Sequence, residues 1–265
     1  MRPLSQKKLF MLDMDGTIYL DEYLFDGTRD FLREVKLKGG SYLYMTNNSS
    51  KNVTTYIEKL ARMGIEAFPE EFLTSTYVTV LHLKEKSYKK IYTVGTADFV
   101  RELRKNGLPV TEKAEDDVDC VLVGNDNELT FEKLYGACKL LTKGTPDFVA
   151  TNPDPVCPVS FGYVPDCGSI CDMITNSTGK RPLYLGKPKP DMPLRALELY
   201  GYDKDDAVIV GDRIYTDIAC GVNAGIDSVF VLSGEGVESD IEKYGITPCY
   251  VMNNIRELYE AIKNK

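Results

Sequence analysis

An α/β fold, a mostly parallel sheet with helices on both faces, is what this 265-residue sequence predicts. Short apolar runs alternate with segments of helical period along the whole chain. Several helical segments close on glycine, and polar residues collect where the apolar runs stop. The first strand is the run Lys8-Leu9-Phe10-Met11-Leu12, which ends abruptly in Asp13-Met14-Asp15-Gly16-Thr17. A helix reads from about Thr28 to Lys38 and closes at Gly39-Gly40. A strand over Ser41 to Met45 leads into Thr46-Asn47-Asn48-Ser49-Ser50, and a helix from about Val53 to Met63 precedes Gly64.

Further along, a helix near Tyr77 to Lys86 leads to strand Ile91 to Val94 and helix Asp98 to Lys105. Cys120 to Val123 is a strand, Phe131 to Leu141 a helix, and Phe148 to Ala150 a strand. The segment Thr151 to Gly168, rich in proline and glycine, reads as a loop too long to be idle. A helix follows from about Ser169 to Ser177, and Leu183 to Leu185 is extended. Pro190 opens a helix reaching Tyr200, ahead of strand Ala207 to Val210 and a helix ending near Ala224-Gly225. Strand Ser228 to Leu232, a weaker strand at Tyr250-Val251 and a helix from Ile255 to Ile262 complete the pattern.

Composition bounds the function. Hydrophobic residues make up 43% and charged residues 27%, which is ordinary for a globular chain, and the length suits one or two domains. A net charge of -8 argues against nucleic acid as a partner, because phosphate-backbone binding needs clustered Lys and Arg. No apolar stretch approaches a membrane span, so no membrane role is expected and a cytoplasmic location is. The seven cysteines form no Cys-x-x-Cys pair and His82 is the lone histidine, so reduced thiols are expected rather than a zinc site.

Open α/β sheets bind ligands at the carboxyl ends of their strands. Four such ends carry polar groups: Asp13 and Asp15, then Thr46-Asn47, then Lys187, then Gly211-Asp212. Residues i and i+2 of a strand point the same way, so Asp13 and Asp15 can face one site while Met14 turns toward the packing. Gly16 lets the chain leave the strand, and Thr17 adds a hydroxyl. An acidic turn would read the same way taken alone; the four ends together carry the signal.

In that order of motifs the chain resembles the haloacid dehalogenase superfamily. Asp13 to Thr17, Thr46, Lys187 and Gly211-Asp212 with Asp217 fit its pattern. The closer likeness is to its class IIA subgroup, typified by NagD and the p-nitrophenyl phosphatases. It rests on Thr46-Asn47-Asn48-Ser49, Val121-Leu122-Val123-Gly124, Thr151-Asn152-Pro153-Asp154, Gly186-Lys187-Pro188 and Gly211-Asp212-Arg213-Ile214-Tyr215-Thr216-Asp217-Ile218. The resemblance implies a Rossmann-like core of residues 1–77 and 183–265, with a smaller α/β cap domain inserted over residues 78–182.

It further implies a Mg²⁺-dependent phosphatase acting on small phosphomonoesters such as sugar phosphates and nucleoside monophosphates. Asp13 would be the nucleophile and Asp15 the acid/base. The Asp13 side chain, the Asp15 carbonyl and the Asp212 side chain would hold the metal. Gly16, Thr46, Asn47, Asn48 and Lys187 would bind phosphate, with Asp217 bracing Lys187 or a metal-bound water, or serving only as a helix-start acid. Asp154 and Asp166 are candidate cap specificity residues. Asp166 stands where relatives often carry a glycine, and it could recognise a substrate group or be merely exposed. Phe161 and Tyr163 could stack on a leaving group or belong to a core. A catalytically silent binding protein, a phosphotransferase or phosphomutase, and a homodimer stay open.

Overall fold

The computed structural model describes residues 2–159 and 161–263. Two parallel sheets organise it. In the first, six strands lie in the order Tyr250–Met252, Asp227–Val231, Ala207–Gly211, Leu9–Leu12, Ser41–Thr46 and Phe72–Thr74. The chain builds outward from Leu9–Leu12 to one side, then returns to build on the other, so the strand order reverses beside this strand. A crevice opens at such a reversal, outside the carboxyl ends of the strands. Leu12 pairs with Val210 on one side and Tyr44 on the other, and the Asp13 N–H continues the ladder to the Val210 carbonyl at 2.8 Å. Asp13 is therefore fixed by the sheet itself at the mouth of the crevice.

Alternation along the strands explains the two helical layers. Phe10, Leu12, Val208 and Val210 face one way and pack with Phe31, Val35, Leu258 and Ile262. Leu9, Met11, Leu43 and Ile209 face the other way and meet Met192, Ala196, Cys220 and Ala224. Because both faces are covered, these strands read as continuous apolar runs rather than alternating ones.

The second sheet has five parallel strands in the order Leu183–Tyr184, Asp147–Ala150, Cys120–Val123, Ile91–Val94 and Val110–Thr111. It too is covered on both faces, by Ala137, Leu140 and Ile170 on one and by Leu83, Phe99 and Leu103 on the other. The expected boundary at residue 78 falls inside a helix, Ser75–Lys86. Val78 of that helix packs with the first sheet's core while Val80 and Leu83 pack with the second's, so one helix serves both units. At the other crossing Leu183 and Tyr184 pair with Val149 and Ala150, which places these two residues with the second sheet.

Other expectations are corrected. Thr151 to Gly168 is not simply a loop: Val156–Val159 and Gly162–Pro165 form an antiparallel hairpin. Phe161 at its tip is 81% exposed and Tyr163 54%, so neither is core. A second hairpin, Tyr19–Leu20 with Tyr23–Leu24, follows the first acidic motif. After Gly211 the chain makes a π-helical turn over Ile214–Ile218 before the α-helix Ala219–Ala224. Such turns are frequent at functional sites. The seven cysteines are free thiols, and no helix among the described residues is long and apolar enough to cross a membrane.

Candidate active site

The crevice gathers Asp13, Asp15, Thr46, Asn47 and Asn48 from the first sheet's strand ends, Lys187 from just beyond the second sheet's edge strand Leu183–Tyr184, and Asp154 and Asp166 from the segment after Asp147–Ala150. The space they enclose is about 30 Å³, room for a water or two. Cys157, Arg213 and Thr216 line the same space and were not singled out from the sequence. Arg213 directly follows Asp212 in the Gly-Asp-Arg motif, and that adjacency was the available signal. A larger cavity of about 530 Å³, bordered by Phe72, Tyr77, Phe99 and Tyr200, contains none of these acids.

Lys187 is the centre of the arrangement. It is buried, and its ammonium donates to Asp13 Oδ1 at 2.5 Å, Asp217 Oδ1 at 2.6 Å and the Met45 carbonyl at 2.9 Å. Those are all three of its donors. Burial alone would lower its pKa, but the two carboxylates hold it well above the usual lysine range. Asp217 in turn accepts from the Arg213 N–H through Oδ2 at 3.1 Å, so both of its oxygens are engaged.

Asp13 is pushed well above the usual carboxylate range, first by burial and then by the nearby Asp217, with Lys187 opposing. Asp212 is raised to about 7, again chiefly by burial. Its Oδ2 accepts from the Glu235 N–H at 2.7 Å, and its Oδ1 lies 3.4 Å from the Thr17 hydroxyl. Gly16, held at φ +89°, and Gly234 both crowd this carboxylate so closely that a Cβ on either would collide with it. Carboxyl oxygens of Asp13, Asp212 and Asp217 lie within 4.8 Å of one another. Lys187 and the Arg213 N–H take both oxygens of Asp217, which leaves the hard oxygens of Asp13 and Asp212 as the pair that fits a cation such as Mg²⁺.

Asn47 departs from expectation. Its Oδ1 accepts from the Lys187 N–H at 2.8 Å, and its Nδ2 donates to the Lys187 carbonyl at 3.0 Å and to Asp154 Oδ2 at 2.9 Å. Both amide hydrogens are spent, so the side chain has no donor left for a phosphate. Asn48 uses Oδ1 on Ser50 and turns Nδ2 toward the Cys157 sulfur at 4.0 Å, while its N–H is held by the Thr46 hydroxyl at 3.2 Å.

Asp166 is buried rather than exposed, which corrects that alternative. It caps the helix Cys167–Thr178 by accepting from the Cys167 N–H, and it also accepts from Asn152 Nδ2 at 3.3 Å. Burial first, and then the charge of Asp154, raise it to about 7. Asp154 is raised mainly by burial; its Oδ2 lies 3.8 Å from an Arg213 nitrogen, and its Oδ1 has no hydrogen-bond partner among the described residues.

Comparisons agree along the whole chain. A haloacid dehalogenase-like hydrolase model matches residues 10–109 and an HAD-hydrolase-like model matches residues 184–258. An acid sugar phosphatase of Staphylococcus aureus is 36% identical over 260 residues, 98% of each chain. Among solved structures, a 4-nitrophenylphosphatase from Thermotoga maritima has a TM-score of 0.90 at 39% identity, covering 98% of both chains. NagD from E. coli K-12 has a TM-score of 0.85 at 30% identity, covering 95% of this chain and 98% of its own. By sequence and by fold the chain belongs to the haloacid dehalogenase-like hydrolases, and within them to the phosphatases.

Proposed function

We propose that this phosphatase is Mg²⁺-dependent and hydrolyses small phosphomonoesters, sugar phosphates, nucleoside monophosphates and p-nitrophenyl phosphate among them, through an aspartyl-phosphate on Asp13. The observation that carries the reading is the Lys187 ammonium held between Asp13 and Asp217 at 2.5 and 2.6 Å. The lysine keeps positive charge where phosphoryl oxygens would arrive, beside a carboxylate fixed by the sheet.

An Asp13 carboxylate oxygen attacks phosphorus as the bond to the leaving oxygen breaks, and the Asp15 carboxyl gives its proton to that oxygen. Water then attacks phosphorus and gives a proton to Asp15, the Asp13–phosphorus linkage breaks, and phosphate leaves. Thr46 and the main chain of the following turn border the phosphate position, and Gly16 leaves room for the Asp212 carboxylate beside it. The Asp13 and Asp212 carboxylates and the Asp15 carbonyl would hold the metal. Bound there, Mg²⁺ supplies positive charge that offsets repulsion between the Asp13 carboxylate and a phosphate dianion.

The inserted segment bearing Asp154, Cys157 and Asp166 lines the crevice opposite Asp13 and Asp15 and acts as a cap over the substrate. Arg213 also borders a neighbouring cavity of about 360 Å³ lined by Tyr163, Tyr215 and Tyr244, large enough for a sugar or aromatic leaving group. Hydrolysis of p-nitrophenyl phosphate with Mg²⁺, with chelator, and by Asp13→Asn tests the proposal. Turnover that requires the metal and is lost in Asp13→Asn is expected. Undiminished turnover in that variant would remove the aspartyl-phosphate.

A further inference from the structure

The helix Val53–Arg62 buries a charge that the chemistry above does not use. Tyr56, Lys59, Leu60 and Met63 fall at the i, i+3, i+4, i+7 spacing of a core-facing stripe, and all four are buried. Lys59 thus occupies a position at which Leu or Met would be ordinary. Burying an ammonium costs several kcal/mol before any partner is counted, so its partners explain its presence. Among the described residues its one ionic partner is Asp15, with Nζ 3.5 Å from Oδ1. The same Nζ lies 3.7 Å from the centre of the Tyr19 ring. Tyr19, fully buried in the hairpin after the acidic motif, donates its hydroxyl to Asp15 Oδ2 at 3.3 Å.

Asp15 is accordingly reached from both carboxyl oxygens by two buried groups that also touch each other. Both separations are long for charge-assisted hydrogen bonds, so the carboxyl is aimed without either oxygen being consumed. Its side chain keeps 28% exposure toward the crevice.

We propose that Lys59, together with Tyr19, is a positioning residue that fixes the Asp15 carboxyl where it can protonate the leaving oxygen. The inference rests on the acid/base role proposed above for Asp15. Lys59 does not line the crevice; it acts on the site through Asp15. Its loss should therefore matter in proportion to how much the leaving group needs a proton, which a general loosening of the fold would not produce.

The test compares kcat/KM, which reports the first phosphoryl transfer, for phenyl phosphate and p-nitrophenyl phosphate. The two are matched in shape, but phenolate is the poorer leaving group. Lys59→Met is expected to lose about 10- to 100-fold on phenyl phosphate while staying within about threefold on p-nitrophenyl phosphate. Tyr19→Phe, which keeps the ring under Lys59 and deletes only the hydroxyl, should move the same way by less, and it carries the test if Lys59→Met does not fold. Asp15→Asn is the reference and should show the strongest discrimination. Discrimination in Asp15→Asn with equal losses on both esters in Lys59→Met and Tyr19→Phe overturns this inference alone. No discrimination in Asp15→Asn overturns the acid role and this inference with it.

Discussion

Asn47 grips Lys187 by both of its main-chain polar groups, accepting from the N–H at 2.8 Å and donating to the carbonyl at 3.0 Å. The remaining amide hydrogen goes to Asp154 at 2.9 Å, so one buried side chain joins the end of strand Ser41–Thr46, the lysine segment and the inserted unit. The lysine's place is thus set by more than its own ion pairs.

Replacing Asn47 with alanine should therefore reach the reaction without touching a substrate atom. It strands a buried N–H and a buried carbonyl of Lys187, each costing about 1–3 kcal/mol when unsatisfied, while Asp154 Oδ2 keeps its bond from Asn152 Nδ2 at 3.0 Å. Stability is expected to fall by about 2–4 kcal/mol in chemical unfolding, with kcat dropping about 10- to 100-fold as Lys187 shifts from the phosphoryl oxygens. Wild-type kcat in a folded Asn47→Ala protein would show that Lys187 is held adequately by Asp13, Asp217 and Met45.

A different kind of control acts on Asp212. Gly234 packs against this carboxylate so closely that a methyl group would collide with it, although Gly234 is distant in sequence from all four loaded strand ends. Gly234→Ala should turn Asp212 away from Asp13 and weaken the proposed metal site, as disturbing a ligand's support commonly costs about 10- to 100-fold in metal affinity. The expected result is a higher half-saturating Mg²⁺ concentration, measured by titrating activity and by calorimetry, with activity largely recovered at high Mg²⁺. Unchanged Mg²⁺ dependence would show that Asp212 takes no part in holding the metal.

Strand ends were legible in the sequence because buried parallel strands are apolar throughout, so each stops visibly at its first polar residue. That holds for Leu12 before Asp13 and for Val210 and Gly211 before Asp212. The two hairpins were not legible: Tyr19–Leu20 and Tyr23–Leu24 are two residues each, too short for any period, and Val156–Val159 contains Pro158. Asn47 looked like a phosphate donor because it follows Thr46, and only the tertiary fold reveals that Lys187 and Asp154 claim its amide. Lys59 was legible in principle. A lysine inside the stripe of Tyr56, Leu60 and Met63 breaks the pattern, but nothing in the sequence names Asp15 as the group it meets.

Asp166 supplies the clearest pH dependence. In the folded protein its pKa is raised from 3.8 to about 7, chiefly by burial and next by Asp154. Between those values the native state holds a proton that the unfolded chain has released, so stability falls as pH rises through that window. The contribution of the protonated carboxyl is full below about 4 and lost above about 7. Asparagine is neutral at every pH, keeps an oxygen for the Cys167 N–H and is as good a helix cap. Asp166→Asn should therefore be more stable than the parent at pH 8, by about 2–4 kcal/mol on the scale of one pKa unit per 1.4 kcal/mol. That advantage should shrink steadily as the pH is lowered toward 4. Urea unfolding of both proteins across this range measures the difference directly. A variant equal to or weaker than the parent at pH 8 would mean that Asp166 is ionised at little cost, its charge met by Asn152 and the start of the helix it caps.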